Sequence, residues 1–157
     1  MLATDIILDM VKSSYNWKNE FLVKRMFWGE QIDDSQYNRF GKTSFSGILK
    51  ITNAQKMVEL ASKNNKDAYT GLYYFMKGWF FWRATMETGD IPYSEALNIE
   101  EHTYPKFDEQ KDVFKGILSD LKQAEEHFGK ATQPFSGDPF YEGDIEKWKK
   151  ATNVLRL

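Results

Sequence analysis

The sequence predicts an all-α fold of stacked antiparallel helix pairs, tetratricopeptide-like in layout, with long proline-containing loops. Apolar residues recur at steps of three and four over most of the chain, which is the spacing of one helix face. No segment alternates apolar and polar residues over the length of a strand. Two loops, residues 89–107 and 133–143, hold all 4 prolines and separate the helical segments. The repeat period is not strict, and the full tetratricopeptide sequence pattern is not found.

The first half of the chain predicts two helices with an unassigned segment between them. A short first helix carries apolar residues on one face, at Ile6, Ile7, Met10 and Val11. Residues 13–43 are polar and aromatic, and part of this segment is expected to form a loop. Residues 44–62 again show helical spacing, at Ile48, Ile51, Ala54, Val58 and Ala61. The polar run at residues 62–66 contains good turn formers and is expected to end this helix.

The third predicted helix, residues 67–88, is apolar nearly all round. One stripe contains Ala68, Leu72, Phe75, Met76, Trp79, Arg83 and Met86. Aromatic residues cover much of the remaining surface, and a helix of this kind is usually central and buried. Gly89 is expected to end the helix, because a left-handed residue commonly follows a helix terminus. Pro92 then marks the exit, since proline cannot continue a helix.

Capping residues define the last two predicted helices. Asp108 is expected to cap the fourth helix by accepting hydrogen bonds from its first free N–H groups. Gly129 is expected to end that helix, whose apolar face contains Phe114, Ile117, Leu118, Leu121, Ala124 and Phe128. Asp144 is expected to cap a last helix with Trp148, Ala151, Val154 and Leu155. The chain stops inside this helix, which leaves an apolar face without a continuation and predicts truncation of a longer protein.

Length, charge and cysteine content exclude several classes of function. The 157 residues are expected to form a single helical domain, 1–157. The net charge of -2 argues against nucleic acid as the main ligand, because phosphate binding needs a basic face. The absence of cysteine excludes disulfides, thiolate catalysis, a Cys-based zinc site and a lipid-modified cysteine within this stretch. The N-terminus lacks a signal-peptide pattern, and Lys77 and Arg83 interrupt the most apolar segment, residues 69–86, so no membrane span is expected.

Residue types needed for catalysis or metal binding do not occur in suitable patterns. His102 and His127 are far apart and lack ligand-spaced partners, so no metal site is predicted. No glycine-rich phosphate loop or nucleophile elbow is present, and no cofactor is expected. The carboxylate pairs at residues 33–34 and 125–126 are interpreted as surface charge. Residues 138–144 contain three acids but do not fit the spacing of a calcium loop.

Aromatic residues carry the remaining candidate chemistry. A sugar ring packs its C–H face on a flat aromatic ring, while its hydroxyl groups bind polar side chains at the rim. Residues 28–39 combine both types, and the candidate ligand-binding residues are Trp28, Asp33, Tyr37 and Arg39. The alternative is that these aromatic side chains cover the long helices from outside.

Residues 89–97, GDIPYSEAL, resemble the signature of the SusD/RagB family, the surface glycan-binding lipoproteins of certain Gram-negative bacteria. Other blocks resemble further motifs of that family in the same order and spacing. They are residues 77–83 (KGWFFWR), 105–108 (PKFD), 120–124 (DLKQA), 138–144 (DPFYEGD) and 148–157 (WKKATNVLRL). Together the blocks span about residues 67–157.

This resemblance implies a SusD-like helical fold and a binding protein without catalysis. Such a protein captures an oligosaccharide, or sometimes a peptide, at the outer-membrane surface and passes it to a SusC-like TonB-dependent transporter. Its membrane association uses a lipid anchor on a cysteine that this chain lacks. Family members are considerably longer, so the chain is interpreted as their N-terminal helical part. The structural signature residues, none of which needs to touch a ligand, are Gly89, Asp90, Pro92, Tyr93, Asp144 and Trp148.

Two other classes of function stay open at this point. A helical-repeat module that binds only proteins would explain the stacked helix pairs without any sugar site. An exposed groove lined by rings would favour glycan capture, whereas a broad apolar face would favour protein binding. A glycosidase would need two carboxylates about 5–10 Å apart in one cleft. None of the motifs specifies which glycan is bound.

Overall fold

The structure is a computed structural model that describes residues 2–14, 25, 29, 45–98 and 100–157. This described part forms helices α1 (Leu2–Ser14), α2 (Ser46–Leu49), α3 (Ile51–Leu60), α4 (Lys66–Thr88), α5 (Gln110–Lys130) and α6 (Ile145–Arg156). Extended pairing among the described residues is limited to one antiparallel bridge, between Ile91 and Asp108. The predicted all-α fold is confirmed.

Helix α4 lies at the centre of the described structure and contacts each of the other five helices. Its buried residues occur on several sides: Ala68, Gly71, Leu72, Phe75, Met76, Gly78, Phe80, Phe81 and Thr85. Burial on several sides is what a helix apolar nearly all round requires. The prediction of a central helix over residues 67–88 is therefore confirmed.

Helices α4 and α5 form the most extensive pair, and they run antiparallel. A Cβ atom at Gly71 would lie 2.7 Å from the Phe128 ring, and one at Gly78 would lie 2.9 Å from a Leu121 methyl group. Both distances are shorter than a normal carbon–carbon contact of about 3.5–4.0 Å. The two glycines therefore let the large side chains of α5 approach the α4 backbone.

The predicted helix over residues 44–62 is two helices, α2 and α3, separated at Lys50. The backbone N–H of Lys50 donates to the Gly47 carbonyl at 3.2 Å, and the N–H of Asn53 donates to the Lys50 carbonyl at 3.1 Å. Each bond joins residues three positions apart, as in a 3₁₀-helix, which is wound more tightly than an α-helix. Apolar periodicity does not reveal this change, because i and i+3 remain neighbours in both helix types.

The fourth helix differs from its prediction at its end and in its buried face. It continues past Gly129 to Lys130. Leu118 was predicted to face the core but is 48% exposed, whereas Val113 is fully buried. The complete buried set is Val113, Ile117, Asp120, Leu121, Ala124 and Phe128. Apolar residues cover a wide arc of this helix, so packing against α4 decides which part of the arc is buried.

Asp144 begins α6, where its side chain accepts hydrogen bonds from the backbone N–H groups of Glu146 (3.0 Å) and Lys147 (3.2 Å). Trp148 and Thr152 are buried, whereas Val154 is 70% exposed. Within the ranges that the structure describes, no helix is long and apolar enough to span a membrane.

Candidate functional site

The four candidate sugar-binding residues, Trp28, Asp33, Tyr37 and Arg39, lie outside the described residues. Three other features of the described part bear on function. They are the loop between α4 and α5, the loop between α5 and α6, and an apolar groove beside α4 and α6.

The loop after α4 begins with a reciprocal pair of hydrogen bonds at Gly89. The Gly89 N–H donates to the Thr85 carbonyl at 2.8 Å, and the Thr85 hydroxyl donates to the Gly89 carbonyl at 2.6 Å. Gly89 has φ 82° and ψ -117°. This backbone conformation is readily available only to glycine, because a Cβ atom clashes with the adjacent peptide groups.

Gly89→Val is expected to lower the free energy of unfolding by about 1–3 kcal/mol, the usual cost of a residue held in a sparsely populated backbone region. A Cβ atom at Gly89 would meet nothing within 4 Å, so the loss would come from the backbone conformation alone. Urea unfolding midpoints measure this effect. The matched control is Gly129→Val, since a Cβ there also meets nothing within 4 Å but the residue is helical. Equal destabilisation in the two variants would contradict the argument.

The prediction that Asp108 caps the fourth helix is wrong. The Asp108 carboxylate instead accepts hydrogen bonds from the backbone N–H groups of Tyr93 (3.1 Å) and Ser94 (2.7 Å), and from the Ser94 hydroxyl (3.0 Å). Burial disfavours the charged carboxylate, but these hydrogen bonds outweigh it, and the pKa of Asp108 lies below its ordinary value. Asp90 instead binds the start of α5: its Oδ1 atom accepts a hydrogen bond from the Gln110 backbone N–H at 2.9 Å.

Asp90 and Asp108 each accept hydrogen bonds from backbone at the opposite end of the loop, so the two carboxylates join its ends. Ile91 and Asp108 also pair through both backbone groups, at 3.3 and 3.0 Å. The Gln110 side chain extends this link by donating to the Thr85 carbonyl at 2.8 Å. The described residues of 89–109 therefore form a closed loop across the ends of α4 and α5, which we call the signature loop.

A charged network beneath this loop connects three of the sequence motifs. Lys77 Nζ lies 3.0 and 2.9 Å from the two carboxylate oxygens of Asp120, and the Tyr93 hydroxyl donates to Asp120 at 2.6 Å. Lys77 Nζ also lies 5.2 Å from the centre of the Tyr93 ring. Burial and the hydrogen bond to Asp120 raise the pKa of Tyr93, so its hydroxyl stays protonated and remains a donor. Both oxygens of Asp120 are thus engaged in holding the helices and loop together.

The loop between α5 and α6 is organised around the buried carboxylate of Asp138. One oxygen accepts from the Phe140 N–H (2.8 Å) and the Tyr141 N–H (3.2 Å). The other accepts from the Gly143 N–H (3.0 Å) and the Trp148 indole N–H (2.7 Å). A carboxylate that accepts from four N–H donors is satisfied without a cation. Within the described ranges, no group of three or more acidic or histidine residues is placed to hold a metal ion.

Trp148 links this loop to the central helix. It is 1% exposed, and its ring packs edge-on against Phe75 of α4 at 5.2 Å. Tyr141 lies 5.2 Å from the Trp148 ring, and Phe135 lies 6.3 Å from it. Such edge and tilted arrangements are favourable for aromatic pairs. The aromatic cluster therefore anchors the loop to α4.

An apolar groove of about 810 Å³ lies beside α4 and α6, and we call it the α4–α6 groove. The residues that define it are Trp79, Trp82, Phe140, Val154, Leu155 and Leu157. Met10 and Val11 of α1 also line the groove. The polar groups of its lining in the described part belong to Lys147, Lys150, Tyr141 and the tryptophans, with no carboxylate or amide side chain among them. The unfinished apolar face of the last helix indicated part of this groove, but the contribution of the two tryptophans follows only from the packing.

The chain resembles known proteins over nearly its whole length. Residues 2–157 match the SusD-like family model described as starch-binding and associating with the outer membrane. A solved SusD homologue of Bacteroides fragilis is 46% identical over 97% of this chain, with a TM-score of 0.87. A second solved SusD homologue of that species is 33% identical over 99% of the chain, with a TM-score of 0.86. A chitin-binding protein is 25% identical over 81% of the chain, with a TM-score of 0.60.

The matched part is a minor fraction of each of these solved proteins. The chain covers 33% of both Bacteroides fragilis homologues and 27% of the chitin-binding protein. It therefore spans about a third of the length of the solved relatives. No curated protein matches the chain.

Proposed function

This chain belongs to the SusD-like family, whose members are described as starch-binding and associating with the outer membrane, and from this premise we propose that it serves non-catalytic capture of oligosaccharide at the outer-membrane surface. The observation that carries the proposal is the family match over residues 2–157. The similarity to a chitin-binding protein supports a glycan as the ligand class. The helical fold that the chain shares with the two SusD homologues is consistent with this assignment.

A binding role rather than catalysis is supported by the use of the buried carboxylates. Asp120 pairs with Lys77 and Tyr93, and Asp138 accepts four N–H donors. A glycosidase needs two carboxyl groups that can reach a sugar in one cleft. Asp120 and Asp138 are instead engaged in holding the loops to the helices.

Delivery to a SusC-like TonB-dependent transporter is the second part of the proposal, and it rests on the family alone. Attachment to the membrane would use a lipid anchor on a cysteine, a residue that this chain does not contain. Co-purification of the full-length protein with an outer-membrane transporter from its native membrane tests this part. Recovery of the protein without any transporter would oppose it.

Sugar contact is proposed for Trp28, Asp33, Tyr37 and Arg39, on the chemistry of the residues. Trp28→Ala is expected to weaken oligosaccharide binding by about 1–3 kcal/mol, because it removes the flat apolar face on which a sugar ring packs. A glycan array identifies the bound class, and calorimetry with the best glycan measures the loss. Thermal unfolding of the variant should match that of the parent chain.

Tyr104→Ala is the matched control, because Tyr104 is an aromatic residue that is 93% exposed in the signature loop. This variant is expected to keep full affinity. Selective binding that is unchanged in Trp28→Ala but lost in Tyr104→Ala would move the sugar site to the signature loop. If neither the chain nor a full-length protein that includes it bound any glycan, the capture proposal would be wrong.

One observation favours the alternative function, a helical module that binds protein. The α4–α6 groove is lined by rings, but its lining is too apolar for a sugar, whose hydroxyl groups need polar partners. This groove therefore supports contact with polypeptide at that surface. It is compatible with glycan binding elsewhere on the protein.

A further inference from the structure

A second cleft, of about 460 Å³, lies where the start of α1, the turn between α3 and α4 and the loop between α5 and α6 meet. We call it the α3–α4 cleft. Part of its lining is apolar and buried, with Ala3 and Met57 each 5% exposed. Its polar lining residues are Ser62, Asn65, Tyr69 and Ser136. Small-molecule sites in proteins have this size and combine apolar walls with a few polar groups.

The polar groups of this cleft are only weakly bonded to one another. The Ser62 hydroxyl lies 3.4 Å from the Asn65 Oδ1 atom. The Tyr69 hydroxyl lies 3.3 Å from both the carbonyl and the hydroxyl oxygen of Ser136. Hydrogen bonds between oxygen atoms are usually 2.5–3.0 Å long. The Asn65 amide nitrogen has no hydrogen-bond partner in the described part, so donors and acceptors here remain available to a ligand.

One rim of the cleft is held in place by its neighbours on both sides. The Thr4 hydroxyl of α1 donates to the Gly137 carbonyl at 2.7 Å. Phe135 is 3% exposed, and its ring packs against the Tyr69 ring at 5.5 Å. Ser136 lies between these two anchored residues. Groups that are already in position lose little conformational entropy when a ligand binds.

The lining fits a neutral sugar better than an anion or an apolar peptide. It contains no charged side chain in the described part, so a phosphate or carboxylate group would find no counter-charge there. A sugar ring packs its C–H face on an aromatic ring such as Tyr69, and its hydroxyl groups both donate and accept hydrogen bonds. The hydroxyl and amide groups of the cleft do the same. An apolar polypeptide segment would instead bury these groups without partners, which is unfavourable.

We propose that the α3–α4 cleft is a subsite for one sugar unit of a neutral oligosaccharide, with Asn65 and Tyr69 as its contact residues. The Asn65 amide nitrogen donates to a sugar hydroxyl group, and Tyr69 contributes its ring and its hydroxyl group. The subsite rests on the proposed capture of oligosaccharide. It adds to that function a second place of contact, formed by residues other than the candidates within residues 28–39.

Calorimetry on the full-length protein that includes this chain tests the subsite. A glycan array with maltooligosaccharides and chitooligosaccharides among its probes first selects the neutral glycan that binds best. Asn65→Ala is expected to weaken binding of that glycan about fivefold, because it removes one hydrogen-bonding group. The Asn65 side chain does not cap α4, so the variant is expected to unfold at the parent temperature.

Asn64→Ala is the matched control. Asn64 is the same type of residue in the same turn, and it is exposed and outside the cleft lining. This variant is expected to keep the parent affinity for the selected glycan.

Thiol labelling of the full-length protein shows whether other polypeptide covers the cleft. This chain contains no cysteine, so Ser62→Cys places a new thiol at an exposed position of the lining. Asn64→Cys places a control thiol beside the cleft. Labelling at each position is followed by mass spectrometry. Both thiols are expected to react quickly, and saturating glycan is expected to slow position 62 roughly tenfold without affecting position 64, because thiol reactivity depends on access.

Contrary results distinguish a failure of the subsite from a failure of the proposed function. Glycan binding that is equally strong in Asn65→Ala and Asn64→Ala would overturn the subsite and leave capture standing. Slow labelling at position 62 without glycan would show that polypeptide fills the cleft, which would also overturn the subsite. Binding of acidic glycans only would contradict the assignment to a neutral sugar. If the full-length protein bound no glycan, the proposed function and the subsite would both be wrong.

Discussion

Asp138→Ala is expected to lower the free energy of unfolding by about 3–5 kcal/mol. The change leaves two buried N–H donors without an acceptor, at roughly 1–3 kcal/mol each, and it removes two further hydrogen bonds. The buried donors are the Gly143 N–H and the Trp148 indole N–H. The Asp138 residue is only 8% exposed, so water does not easily replace the lost carboxylate. The loop between α5 and α6 should then detach from Trp148, and the tryptophan emission should change with it.

Urea denaturation followed by tryptophan fluorescence measures this loss. Asp112→Ala is the matched control, since the Asp112 carboxylate is 59% exposed and contacts only the neighbouring Lys115 at 2.6 Å among the described residues. The control should shift the midpoint much less, because an exposed carboxylate in the first turn of α5 contributes only weakly to stability. Asp138→Asn should fall between the two, because its amide keeps one acceptor but turns an N–H group toward the remaining donors. If Asp138→Ala unfolded at the same urea concentration as the control, the carboxylate would not organise the loop.

Asp120→Ala is expected to cost about 3 kcal/mol, because it leaves the Lys77 ammonium group without its partner in a largely buried position. The side chains of Lys77 and Asp120 are only 18% and 10% exposed. The variant also removes the acceptor of the Tyr93 hydroxyl, which stays protonated. Destabilisation should therefore extend to the signature loop that Tyr93 anchors.

A double-mutant cycle separates the interaction energy of the Lys77–Asp120 pair from the cost of burying the two charges. Lys77→Met together with Asp120→Leu should recover most of the stability lost in Asp120→Ala, since apolar residues often replace a buried ion pair at little cost. Tyr93→Phe should lose only about 1 kcal/mol, the value of one hydrogen bond. The cycle is completed by the single variants Lys77→Met and Asp120→Leu. A double variant as unstable as the sum of these two would show that the charges act independently rather than as a pair.

The sequence by itself determined the features that depend on neighbours along the chain. Periodic apolar residues predicted the all-α fold and the central helix over residues 67–88. The ordered set of short motifs between residues 67 and 157, GDIPYSEAL among them, indicated the family. Asp144 was expected at the start of the last helix, and it accepts hydrogen bonds from the next turn there. Each helix, cap and motif block involves residues within a few positions of one another, and the order of the blocks is itself read along the chain, so the sequence pattern contains the information.

Tertiary structure alone decided the features that depend on residues far apart in sequence. Asp108 lies just before a helix and was predicted to cap it, but its carboxylate accepts hydrogen bonds from the N–H groups of residues 93 and 94. The Gln110 N–H at the start of the helix donates to Asp90 instead. The sugar-binding candidates stay predictions, since they lie outside the described residues. The Lys77–Asp120 pair and the α4–α6 groove arise in the same way, because helix packing brings together groups that the sequence separates. A carboxylate binds the donors nearest to it in space, and that distance is set only when the helices have packed.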